Sequence, residues 1–248
     1  MTGSRSKRAV DIAHVAQFPL PARSGCGERT THAHARARRI SSLKRHYRRK
    51  RREIERRLEE FKRVFEKGEK EIFGELAYCI CTAQAKAEAA DRAIRLLKAS
   101  DLLYSGDARR IKPYLRYVRF WNKKPVFIVE ARRTFTEGGR IVLKRRLKGC
   151  DPFRLRDELV STVRGLGYKE ASHFLRNVGV GEGLAILDRY ILRCLRDFGV
   201  IHEIPKGITR KRYLEIEERM RRFARSVGIP MGHLDLLLWW SQTGRILR

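Results

Sequence analysis

DELVSTVRGLGYKEASHFLRNVG, residues 157–179, encodes two amphipathic helices joined by four residues. Leu155, Leu159, Val160 and Val163 form one apolar stripe, and Ala171, Phe174, Leu175 and Val178 form the next, both at helical spacing. Between them lies Arg164-Gly165-Leu166-Gly167. Gly165 and Gly167 permit a tight reversal that includes positive φ, and Leu166 can plug the groove between the helices. The second helix then opens with unpaired backbone N–H groups and the positive end of its dipole, which together suit a phosphate. Over this segment alone, an ordinary helical hairpin reads the same way.

The downstream string AILDRYIL, residues 185–192, sharpens the pattern. Asp188 is a natural N-cap for the next helix and stands nineteen residues after Lys169. From Lys169 to about Val178 a helix advances roughly 13 Å at ~1.5 Å per residue. Gly179–Gly183 turns the chain, and an extended Leu184–Asp188 covers about the same distance back at ~3.3 Å per residue. Lys169 and Asp188 are therefore expected side by side, both at helix N-termini, beside a phosphate-binding hairpin. A surface salt bridge is the unreactive alternative.

Helical periodicity continues outward in both directions. Ile72, Phe73, Leu76 and Ile80 line one face, and Ala93, Ile94 and Leu97 follow after a break at 82–86. Ile111, Tyr114, Leu115 and Val118 fall at helical spacing. Asp151-Pro152 reads as N-cap and first-turn proline. A long helix spans about 210–227, and a last one starts at Pro230 and stops at Thr243-Gly244. RIVL at 140–143 is the strand candidate. The fold class is all-α, with at most one hairpin. Residues 1–42 show no clustered apolar face and are expected to form a disordered basic extension, leaving 43–248 as the folded domain.

The charge points to a partner. In 248 residues, Lys and Arg number 57 against 28 Asp and Glu, a net charge of +29. Such a balance suits a polyanion and argues against a free-standing metabolic enzyme. KRHYRRKRR, 44–52, is basic at seven of nine positions and reads as a solvated helix face compatible with phosphate contact. No apolar run approaches the ~18 residues of a membrane span, and no signal peptide is visible. The cysteines at 26, 79, 81, 150 and 194 match neither a zinc site nor a disulfide framework nor an iron–sulfur cluster. An intracellular protein without metal or cofactor is the expectation.

The hairpin Gly165-Leu166-Gly167-Tyr168-Lys169, with Asp188 beyond it, resembles the helix-hairpin-helix superfamily of DNA glycosylases. The strings KEASHFLRNVG, LAILDRYIL, FGELAYCICTAQAKAEAADRAI and MGHLDLLLWWSQTGRILR are similar to the archaeal-type 8-oxoguanine DNA glycosylase/lyase family. The resemblance covers about 60–248 and implies two helical subdomains with the active site between them, the hairpin motif lying at about 157–178. It implies a monomer acting on double-stranded DNA that contains oxidised guanine, with no membrane partner.

The same resemblance assigns roles. Lys169 becomes the nucleophile that forms a Schiff base with the sugar, Asp188 its assisting carboxylate, and Gly165 and Gly167 the phosphate cradle. The chemistry suits these residue types. An amine can attack C1′, and a carboxylate can stabilise an oxocarbenium-like sugar. Extrusion of the base calls for a plug and a pocket. Gln84 is placed near the vacated gap, Phe120 and Trp239 as pocket walls, and Arg248 at the terminus beside the pocket, where the family's pattern has lysine. His173 reads as a surface or phosphate contact. The competing readings are a glycosylase for oxidised pyrimidines and a non-catalytic helix-hairpin-helix nucleic-acid-binding protein.

Overall fold

The computed structural model describes residues 28–246, with side chains from residue 34. The described chain runs α1 (Glu28–Glu66), α2 (Glu69–Thr82), α3 (Ala87–Ala99), α4 (Leu102–Ser105) and α5 (Ala108–Ile111), then a 3-10 turn (Lys112–Leu115). It continues through α6 (Lys124–Thr134), β1 (Thr136–Glu137), β2 (Arg140–Ile141), α7 (Leu143–Leu147), α8 (Pro152–Thr162) and α9 (Tyr168–Asn177). It ends with α10 (Arg189–Asp197), α11 (Arg210–Val227) and α12 (Met231–Thr243). The described residues are all-α apart from one antiparallel hairpin, in which Thr136 faces Ile141 and Gly138-Gly139, both at positive φ, make the turn. The expected strand 140–143 is shorter than its apolar run because Leu143 is buried at the start of α7.

Helix boundaries follow local chemistry. Asp151 accepts hydrogen bonds from Phe153 N and Arg154 N ahead of α8, with Pro152 in the first turn. Thr209 caps α11, and Gly228 and Gly244, both left-handed, end α11 and α12. Residues 111–118 do not form one continuous helix. Pro113 lies in the 3-10 turn that follows α5, where it cannot donate to a helical ladder.

Two apolar cores divide the molecule. The first gathers α2–α9 around Phe73, Leu76, Leu97, Ile128 and Phe174. The second joins α1 to the last three helices: Leu43, Ile54 and Leu58 of α1 pack with Leu195, Met220, Phe223 and Leu237 of α10–α12. The division falls inside one extended segment, with Leu184 in the first core and Ala185 in the second.

The boundary expected at residue 42/43 is corrected for residues 28–42, which are helical and continuous with the rest of α1. Their arginines hid an anchoring pattern. Arg36 Nε donates to Phe198 O at 2.9 Å, Arg39 donates to Asp197 O, and Ile40 packs against the second core. Cationic side chains here meet the carbonyl end of α10, where the helix dipole favours them. The part of the expected disordered extension before residue 28 lies outside the described residues.

The two cores are tied by buried charges. Arg156 of α8 makes a bidentate pair with Glu217 of α11 at 2.7 and 2.8 Å. Arg176 of α9 pairs with Asp235 of α12 at 2.8 Å. All four side chains are buried. Removing one member strands a buried charge, which costs about 3–5 kcal/mol. Asp235→Leu should therefore lower unfolding stability by about that amount in urea titrations, and the double variant Arg176→Met/Asp235→Leu should recover most of it.

Candidate active site

The hairpin forms as its glycines require. Gly165 has φ +82°, and a Cβ there would collide with the Phe127 ring. Leu166 is buried in the first core, between α8 and α9. Gly167 differs from the expected positive φ. It is extended, at φ −95°, and precedes α9, which no side chain caps. The first turn of α9 thus keeps its donors and its positive dipole end for an anion. Tyr168 braces the hairpin from behind. Its hydroxyl donates to Asp157 and accepts from Arg210 Nε at 2.7 Å.

Beyond α9 the chain turns at Gly179, whose φ is +77° and which lies against the α1 backbone at Lys62. The return segment 184–188 is then held by side chains. Ala185 N donates to Glu217 Oε1 at 2.8 Å, Ile186 N to Asp235 Oδ1 at 3.3 Å, and Leu187 N to Tyr213 OH at 3.4 Å. Tyr213 OH donates in turn to Ala185 O at 2.6 Å. Asp188 emerges from this clamp as the N-cap of α10, its Oδ1 accepting from Tyr190 N and Ile191 N at 2.8 Å each.

Lys169 and Asp188 line one cleft of about 1010 Å³ between the two cores. Burial raises the Asp188 carboxyl above the ordinary aspartate value of 3.8. The Ile191 and Tyr190 amides, the Lys169 charge and the Trp239 indole pull it down without cancelling that effect. Lys169 is a quarter exposed and has Glu170 at 3.8 Å. An accessible amine therefore shares the cleft with a desolvated carboxylate, beside an uncapped helix N-terminus.

Of the residues expected around the base, Gln84 and Trp239 line the cleft. Gln84 turns the chain between α2 and α3 at φ +53°, a conformation a non-glycine residue holds at some cost. The buried Lys124 steadies that turn by donating to Cys81 O and Ala83 O, both at 2.7 Å. Phe120 is not a cleft wall. Its own φ of +61° separates it from its neighbour, so Arg119 lines the cleft while the Phe120 ring is exposed and stacks on the Arg119 guanidinium. Arg248 lies outside the described residues, although Arg245 lines the cleft. His173 corrects its expectation as a surface contact. It is buried beside Tyr78 with Nδ1 unpartnered, and burial, reinforced by Lys169 and Arg176, lowers its pKa well below the usual histidine value. An apolar α9 face carries it inward, one turn after Lys169.

The sequence reading missed the clamp residues Arg156, Arg176, Tyr213, Glu217 and Asp235. One signal was present: Asp235 interrupts the apolar run Leu234–Trp239, where a charge is costly unless paired.

Residues 54–229 match the family described as 8-oxoguanine DNA glycosylase. The chain belongs to that family. An 8-oxoguanine DNA glycosylase/AP lyase of Fusobacterium nucleatum is 47% identical over 194 residues, covering 77% of this chain and 89% of its own. The crystal structure of the Methanocaldococcus jannaschii 8-oxoguanine DNA glycosylase superposes with a TM-score of 0.76 at 33% identity, over 88% of this chain and 99% of its own. The Methanocaldococcus jannaschii glycosylase/lyase in complex with a 15mer DNA containing 8-oxoguanine has a TM-score of 0.73 at 34% identity, over 84% of this chain and 99% of its own. Family membership thus extends from the hairpin to the helical architecture on both sides of the cleft.

Gly165→Ala should destabilise the hairpin by about 1–3 kcal/mol, since it forces alanine into positive φ. Gly183, with nothing within 4 Å of a built Cβ, supplies the control. Gly183→Ala should shift the urea midpoint far less.

Proposed function

We propose that this protein excises 8-oxoguanine from double-stranded DNA and cleaves the strand at the resulting abasic site, acting as a monomer. The convergence of Lys169 and Asp188 in one cleft beside the hairpin carries this reading, in a chain whose relatives are 8-oxoguanine DNA glycosylase/AP lyases. Every residue invoked comes from one chain.

The hairpin, through Gly165, Gly167 and the first turn of α9, grips a backbone phosphate. The damaged nucleotide leaves the stack and enters the cleft, as C1′ chemistry requires. Trp239 forms a wall for the extruded base and Gln84 stands at the gap it leaves. Arg245 lines the cleft, and the resemblance to the family assigns the base edge to Arg248.

Lys169 Nζ, as the neutral amine, attacks C1′. The bond from C1′ to the base breaks, and its electron pair leaves with the base, which takes up a proton. Positive charge on the sugar peaks in this step, and Asp188 opposes it from a desolvated site where its field is strong. One proton then passes from Nζ to O4′, the C1′–O4′ bond breaks with its electron pair on O4′ so that the sugar ring opens, and the Nζ lone pair completes a Schiff base to C1′. Removal of a C2′ proton expels the 3′ phosphate with the C3′–O electron pair. Hydrolysis of the Schiff base returns the free amine.

Lys169→Gln should bind a lesion duplex within about threefold of wild type yet give no covalent adduct on borohydride treatment, the contact surface being almost unchanged. A trapped adduct at the wild-type level would place the nucleophile elsewhere. Asp188 acts as the carboxylate, so excision should fail as pH drops through its raised pKa. The acid limb of the single-turnover rate should therefore lie above 3.8. Asp188→Asn keeps the helix cap but loses the charge. It should abolish that limb and slow excision by about 100-fold or more.

A further inference from the structure

The first half of α1 carries a cationic stripe for which the cleft has no use. Residues 30–52 contain no Asp or Glu. Ile40, Leu43, Tyr47 and Ile54 turn toward the second core, while Arg38, Lys44, Arg45, Arg48, Arg49 and Arg52 are exposed on the opposite face. The nearby carboxylates are engaged elsewhere, Glu53 with Lys50 and Glu55 with Arg51. None of the six exposed residues forms a salt bridge among the described side chains. From Arg38 to Arg52 the stripe runs about 21 Å along a single helix. It precedes the region that matches the family, which begins at residue 54.

Its orientation matters more than its charge. α1 packs on α12: Tyr47 OH is 2.9 Å from His233 Nδ1, and His46 and Lys50 lie against the Trp240 ring at 5.5 and 5.1 Å. The cleft lies along a different side of α12, the one bearing Trp239 and Gln242. α12 therefore stands between α1 and the cleft, and the stripe faces away from both. One straight duplex engaged at the cleft cannot also lie along the stripe.

We propose that this stripe is a second duplex-DNA surface, which holds a DNA segment other than the one in the cleft and hands the enzyme directly from one to the other. The proposal rests on the glycosylase reading for what occupies the cleft. Duplex DNA presents a negative charge every ~1.7 Å of its axis, a match for a straight row of cations. Single strands are bound by exposed aromatic rings beside cations. The stripe offers none, since Tyr47 faces α12. A membrane surface would need the apolar face of the helix, which is committed to the core.

Direct transfer is read from release kinetics. A fluorescent duplex containing a stable abasic-site analogue is bound to the full-length protein, and its release is followed at rising concentrations of unlabelled undamaged duplex. Release from the wild-type protein should accelerate several-fold with competitor concentration. The variant Lys44→Gln/Arg45→Gln/Arg48→Gln/Arg49→Gln/Arg52→Gln keeps strong helix formers and leaves the cleft untouched. Its release should not depend on competitor, and its single-turnover excision should stay within about twofold of wild type. Its affinity for undamaged duplex should also vary less with salt, the logarithmic slope falling by about 0.9 for each phosphate it no longer neutralises. Release that ignores competitor in the wild type, or responds equally in the variant, overturns the proposal. So does acceleration by a structured RNA but not by duplex DNA. A wild-type protein that binds and excises normally while failing the transfer test would refute this surface and leave the glycosylase reading standing. Failure to bind or cleave a lesion duplex at all would refute both.

Discussion

Glu217 and Asp235 each do two things at once. Each carboxylate pairs with a buried arginine from the hairpin helices and accepts a backbone amide from the segment that ends at Asp188. The arginines come from α8 and α9, the carboxylates from α11 and α12, so each contact fastens one side of the cleft to the other. A buried ion pair is weak evidence for net stability, because desolvating two charges offsets most of their attraction. Its value here is geometric. An extended segment outside any sheet has amides and carbonyls to satisfy in a dry interior, and only a few side-chain acceptors are in place. That constraint fixes the register of residues 184–188 and hence the position of Asp188 relative to Lys169.

The electrostatics of the site follow from the same arrangement. Asp188 keeps its cap bonds on one oxygen, while burial at the junction of the two cores raises its pKa. Asp235 sits directly behind, and burial pushes its carboxyl up to about 6 against the pull of Arg176, with Asp188 adding to the rise. A desolvated carboxylate is held in place by structure rather than by solvent, so it reorganises little when positive charge develops nearby. Lys169, on the first turn of α9, enters the cleft from the hairpin side. On the proposed mechanism the hairpin orients both the DNA and the amine.

Much of this was legible in the sequence. The helices on either side of Gly165-Leu166-Gly167, the caps at Asp151 and Asp188, and the proximity of Lys169 to Asp188 follow from spacing and cap chemistry, which are local. What escaped was non-local. Arg156, Arg176 and Glu217 occupy helix positions that look solvated until their partners from distant helices are placed. His173 read as polar surface because one histidine does not reveal which face its helix buries. Phe120 was misplaced by a single positive φ that reverses the side-chain order at a turn. Residues 28–42 read as an unstructured arm because their anchors are arginines bonded to the carbonyl end of α10, a pattern with no apolar period. The cationic face of α1 was plain as composition, but its turn away from the cleft emerges only from the packing of α1 on α12.

Tyr213 belongs to the clamp and lies outside the cleft that holds Lys169 and Asp188. Its hydroxyl bonds Ala185 O, Leu187 N and, at 3.4 Å, Ser172 Oγ of α9, and its ring packs on Tyr168 without lining the cleft. Tyr213→Phe removes that hydroxyl and keeps the ring, so the most direct test of the account is single-turnover excision of 8-oxoguanine by this variant, measured alongside its affinity for the same duplex. If the clamp positions Asp188, affinity is unchanged and excision slows by about tenfold, or roughly 1.4 kcal/mol in the barrier. Excision at the wild-type rate would contradict the claim that the clamped segment sets the geometry of the site.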